Sequence, residues 1–160
     1  MFKVLVIAYY YPPLGLSGVQ RTLKFTKYFS QYNWKPTVIT TGKSGYFAHD
    51  ETLLAEAEEA QVEIVRTESL TPSSLLKTKG NVKMPSSFIM KVLGRISKTF
   101  FIPDNKILWS RKAAKYARTL LSQQNFDAIF VSAPPFSAIV SIIKLKQKYD
   151  IPIFVDYRDS

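Results

Sequence analysis

The sequence predicts an α/β domain in which a mainly parallel sheet of five or more strands lies between two helix layers, a three-layer αβα sandwich. Short runs rich in Val and Ile recur at residues 3–8, 37–40, 62–65, 128–131 and 151–155. Each has the length of a buried strand. The segments between them have helical composition, and such alternation favours parallel strands joined by crossover helices. Size sets the third constraint: 160 residues, 46% of them hydrophobic, can bury one proper core and are short for two.

Residues 3–8 form the first strand. A lysine ahead of a short apolar run also suggests a secretory signal, but Tyr9-Tyr10-Tyr11 and Pro12-Pro13 stand where a small-residue cleavage site would be. Residues 18–32 repeat Val19, Leu23, Phe25, Tyr28 and Phe29 near the helical period, and Pro36 is read as what stops that helix. Further helices are predicted over residues 51–60, 88–100, 105–123 and 136–149. Residues 69–87 gather Ser, Thr, Pro, Lys and Gly into a stretch too long for an ordinary connection, and such insertions are most often either mobile or functional.

The formal net charge is +10. Seven of the twelve acidic residues fall between Asp50 and Glu68, whereas residues 71–120 hold eleven Lys and Arg against one Asp. A basic block attracts polyanions or is simply a solvated face; nucleic acid is not the partner expected here. With no cysteine, disulfides and thiolate metal sites are excluded, and a reducing, cytoplasmic setting is compatible. No apolar stretch approaches the ~18 residues of a membrane-spanning helix. In residues 88–101 the apolar positions 88, 89, 92, 93, 96 and 100 follow the helical period, with Lys91, Arg95 and Lys98 on the other face. That pattern fits a peripheral helix on the inner face of an anionic membrane, and equally a helix covering the sheet.

Candidate site residues fall just beyond strand ends, the edge where open parallel sheets bind ligands. After the first strand, Gly15 and Gly18 either let a phosphate approach the backbone or merely shape the turn. The amides of Val19 and Gln20 open the helix, and Arg21 can add a charge-assisted bond to a phosphate or carboxylate. The glycines lack G-x-G-x-x-G spacing, and Thr40-Thr41-Gly42 ends the second strand without an acidic residue for a ribose, which argues against a dinucleotide-dependent dehydrogenase. After the fourth strand, Ser132 and Ser137 flank Pro134 and Pro135; Ser137 either binds a hydroxyl or starts the next helix. After the fifth, Asp156 and Asp159 flank Arg158, as ligand contacts or as an internal ion pair. His49, the sole histidine, is read as an ordinary surface or loop residue.

Taken together, Tyr9-Tyr10-Tyr11-Pro12-Pro13-Leu14-Gly15 with Gly18-Val19-Gln20-Arg21, then Leu23-Lys24-Phe25-Thr26-Lys27-Tyr28, then Trp34-Lys35-Pro36-Thr37-Val38, resemble the N-terminal domain of family 4 glycosyltransferases with the GT-B fold. Ile102-Pro103-Asp104 with Trp109, Ser132-Ala133-Pro134-Pro135-Phe136-Ser137 and Asp156-Tyr157-Arg158-Asp159 extend the likeness in family order. The resemblance implies a Rossmann-like domain on the acceptor side of a two-domain cleft, residues 1–160, with a C-terminal donor-binding domain beyond this chain. It implies transfer from a nucleotide-sugar to a glycan or lipid-linked acceptor in surface-glycan synthesis, with retention of configuration and no required metal or other cofactor. The glycine loop would reach the donor phosphates. Many relatives carry His-Asp where Arg158-Asp159 stands, and an arginine, always protonated, cannot act as that histidine would. Arg158 and Asp159 are the catalytic candidates by position. The competing reading is a non-catalytic module that binds a phosphorylated or membrane-bound anion.

Overall fold

The computed structural model describes residues 1–15, 17–42, 50–67 and 104–158. Five strands, β1 (Phe2–Ala8), β2 (Trp34–Thr41), β3 (Glu63–Thr67), β4 (Ala128–Ala133) and β5 (Ile153–Tyr157), form an all-parallel sheet in the order β3-β2-β1-β4-β5. Among the described residues, helices α1 (Ser17–Gln31), α2 (Glu51–Glu59), α3 (Ile107–Gln123) and α4 (Phe136–Tyr149) flank it. This is the predicted αβα sandwich, a Rossmann-like fold. The helix predicted over 88–100, the insertion at 69–87 and His49 lie outside the described residues.

Strand β1 is buried on both faces, with Leu5, Val6 and Ile7 all at 0% exposure, so its sequence is continuously apolar. Successive side chains still point to opposite sides. Val4, Val6 and Ala8 pack with Leu23 of α1 and Ala57 of α2. Leu5, Ile7 and Tyr9 pack with Ala113 and Ala117 of α3 and Ile142 and Leu145 of α4. The α1–α2 and α3–α4 pairs therefore cover opposite faces.

Two boundaries differ from expectation. Pro36 does not stop α1, which ends five residues earlier. The turn is made by Asn33 at φ 63, a left-handed conformation that asparagine tolerates, and its carbonyl accepts from the amide of Phe2. Pro36 lies inside β2, before the first β2–β3 pair (Thr37↔Glu63), where the strand is paired on one side only and a missing N–H is tolerated. The last strand begins at Ile153 because Asp150 (φ 44) turns the chain and Ile151 drops into the core at 4% exposure.

Beyond β1, Tyr11 is fully buried and its hydroxyl donates to Thr26 Oγ1 at 2.7 Å, because Thr26 itself donates to the Leu23 carbonyl. Burial pushes the phenol from 10.0 up to about 12, against the lowering effects of the Thr26 bond and the Arg66 charge. The raised value favours the neutral phenol in the folded state. Its contribution to stability is full below pH 10 and is lost as pH rises through about 12. Tyr11→Phe should cost about 1 kcal/mol at neutral pH and remove this alkaline loss, as read by urea denaturation at pH 7 and across pH 10–12.

Candidate functional site

The chain leaves β1 into α1 on one face and β4 into α4 on the other. The carboxyl ends of these adjacent strands therefore part and leave a crevice, the place where open parallel sheets bind ligands. Helix α1 begins at Ser17, so Gly18 belongs to its first turn and is not part of an irregular loop. Gly18 and Val19 supply first-turn amides with no acceptor inside the helix. Gln20 follows on the exposed side, and Gly15 is buried in the preceding turn.

Arg158 spans the crevice. Its Nη1 donates to the Gly18 carbonyl at 2.7 Å, Nε to the Ala133 carbonyl at 3.3 Å and Nη2 to the Pro134 carbonyl at 3.4 Å. Its backbone amide also donates to Ala133, at 3.1 Å. A guanidinium has five N–H groups, so two remain after these bonds. A Cβ at position 18 would sit 3.0 Å from Arg158 Nη1, so a larger residue there would make the guanidinium give way by a few tenths of an ångström. Arg158 thus holds carbonyls on both lips and does not pair with Asp156. Asp159 lies outside the described residues.

A polar row runs beneath α1. Ala8, Ser132 and Asp156 are register partners across β1, β4 and β5. The hydroxyls of Thr22 and Ser132 are 3.2 Å apart, both residues being buried. Arg21 Nη2 donates to Asp156 Oδ1 at 2.6 Å; the arginine side chain is 53% exposed and the carboxylate 6%. Asp156 Oδ2 is buried without a hydrogen-bond partner among the described residues. The ion pair expected between Asp156 and Arg158 is not formed; Asp156 pairs with Arg21 of α1 instead.

Ser137 starts α4. Its amide donates to Asp104 Oδ2 and its hydroxyl to Asp104 Oδ1, each at 2.8 Å, while Ser110 Oγ lies 2.7 Å from the same hydroxyl. Having one proton, the Ser137 hydroxyl gives it to Asp104 and accepts from Ser110. Asp104 also accepts from the amide of Lys106 at 2.8 Å, so one carboxylate ties the approach to α3 to the start of α4. Sequence reasoning missed that clamp; its signal was an aspartate alone in a basic stretch. Nearby, Lys106 Nζ stands 4.8 Å over the Tyr9 ring, which meets Trp109 edge-on at 5.0 Å. On the other lip, Arg66 donates to the Pro12 carbonyl at 2.9 Å. Burial pulls its pKa below the usual guanidinium value, against the Coulombic pull of Glu51.

No protein-family model matches the chain, and no curated protein matches its sequence. Solved structures match its fold. The C-terminal domain of PF1911 hydrogenase from Pyrococcus furiosus aligns with a TM-score of 0.57 at 15% identity, over 98% of this chain and 91% of that one. TcCGT1, solved in complex with UDP, aligns with a TM-score of 0.56 at 14% identity, over 96% of this chain and 27% of that one. The chain thus corresponds to about a quarter of TcCGT1. At these identities the likeness is one of fold.

Arg21→Ala should leave the Asp156 carboxylate buried and unpaired. Because the arginine is half exposed, a cost of about 1–2 kcal/mol follows. Adding Asp156→Asn should restore part of it, and chemical denaturation of the two single variants and the double variant checks the coupling.

Proposed function

We propose that the chain is the acceptor-side half of a glycosyltransferase, which moves a sugar from a nucleotide-sugar to a glycan or lipid-linked acceptor. The observation that carries this reading is the Arg158 guanidinium, held across the crevice at the start of α1 with two N–H groups unspent among the described residues. A cation beside first-turn amides is suited to an oxyanion of a diphosphate, the leaving group when a sugar departs from its nucleotide. The bond between the anomeric carbon and the diphosphate oxygen breaks. The acceptor oxygen takes its place and its proton is released.

In this proposal Arg158 stabilises the departing charge and does not take the acceptor's proton, since it stays protonated. Asp159, the next residue in sequence, is carried over as the second catalytic candidate from the family resemblance. Asp156 and Arg21 shape the wall beneath them. A second, donor-binding domain is part of the proposal, because transfer requires a donor and an acceptor positioned together. Retention of configuration is carried over as a proposal from the family resemblance. The similarity in fold to TcCGT1, crystallised with UDP, supports the reading at the level of architecture.

Incubating the protein extended by its native downstream sequence with a panel of nucleotide-sugars tests this. Arg158→Gln should lower kcat/KM by about 10²–10³-fold and, by dropping its bonds to three carbonyls, also lower Tm while the protein stays folded at the assay temperature, and Arg158→Lys should not restore the activity, because the fork across three carbonyls is lost. In calorimetry the 160-residue chain alone should bind donor far more weakly than the extended protein. Tight donor binding by the short chain would refute the half-enzyme reading. Phosphate binding without any transfer by the extended protein would favour a non-catalytic anion-binding module.

A further inference from the structure

We propose that the outer surface of the α3–α4 layer docks on an anionic lipid bilayer, with headgroup phosphates in the groove between the two helices. The inference does not depend on which reaction the crevice supports. Helices α3 and α4 together carry seven Lys and Arg and no Asp or Glu. The opposite layer is different: α2 has four glutamates, and Glu56 pairs with Lys24 and Lys27 of α1. The cations of one face are thus matched internally, while those of the other lie on acid-free helices. Among the described residues, no ion pair involves Arg111, Arg118 or Lys144.

These three side chains line a groove of about 250 Å³ between the helices, together with Ile107, Ser137 and Ser141. Arg111, Lys115 and Arg118 recur at intervals of four and three, which puts them on one side of α3. Beside the groove, Val140 is 52% exposed, Ile143 55% and Leu108 36%. Exposed aliphatic side chains beside unpaired cations suit a bilayer interface, where acyl chains take the former and phosphates the latter. A nucleic acid would engage the cations and leave Val140 and Ile143 in water. None of the described helices is long and apolar enough to cross a membrane. The groove reaches Ser137 at the start of α4, beside the crevice. Docking on this face would bring the carboxyl edge of the sheet near the lipid surface.

The test is co-sedimentation of the full chain with vesicles of phosphatidylcholine alone or with phosphatidylglycerol added. Binding should require the anionic lipid and weaken as salt is raised. Arg111→Gln, Arg118→Gln and Lys144→Gln combined should lower partitioning about 100-fold, with circular dichroism and Tm showing that the fold is kept. Val140→Ser with Ile143→Ser should also weaken binding, with the salt dependence retained. Lys91→Glu with Arg95→Glu serves as the control for the basic segment at 88–101 and should leave most of the binding in place. The proposal is overturned if the triple variant binds as wild type does, if neutral vesicles bind equally, or if binding is lost only in the control. It is also overturned if a DNA duplex binds as tightly and the two serine substitutions change nothing.

Discussion

The fold is organised by one topological constraint: after building outward from β1 to β2 and β3, the chain must cross back over the sheet and resume on the other side of β1 with β4. That return makes β1 the most enclosed strand and sends the helices after β1 and β4 to opposite faces. A right-handed crossover leaves little choice about where the helices lie. The crevice is a by-product of this path, present before any side chain is chosen to occupy it.

What occupies it is a cation, at a helix start that itself carries partial positive charge. The arrangement is held because Arg158 aims its donors at three carbonyls. Two like-signed features therefore converge on the same space. An anion entering there would be attracted by both, and in its absence the carbonyls hold the guanidinium in place. The Arg21–Asp156 pair lies one layer below and offers its cation to the protein, so the two arginines, alike in the sequence, have divided roles.

Much of this architecture was legible in the amino-acid pattern. The Val-rich runs and the helical periods between them determine the strand count, the αβα layering and the edge on which the candidate residues gather. Boundaries were less legible: Pro36 is a helix breaker by local rule, yet it sits in a strand because β2 starts before β3 joins it. The partners of the polar side chains were least legible. Arg21 and Asp156 are 135 positions apart and Arg158 and Gly18 are 140 apart, and nothing local announces that either pair will meet. Ser137 had two readings open, and its hydroxyl turns out to be spent on Asp104 and Ser110, while Pro135 is the N-cap of α4.

Asp104 also bears on how the working edge of the sheet keeps its shape. At one anchor, Thr67 closes β3 by donating to the Thr40 carbonyl, while its own carbonyl accepts from the amide of Gly42. At the other, Asp104 fastens the chain to the start of α4. Both anchors belong to the edge that carries the crevice, and 36 residues lie between them in sequence. The sheet is in effect a chassis whose working edge is pinned at Thr67 and at Asp104, so that edge keeps its shape through bonds that the strands and helices around it supply themselves.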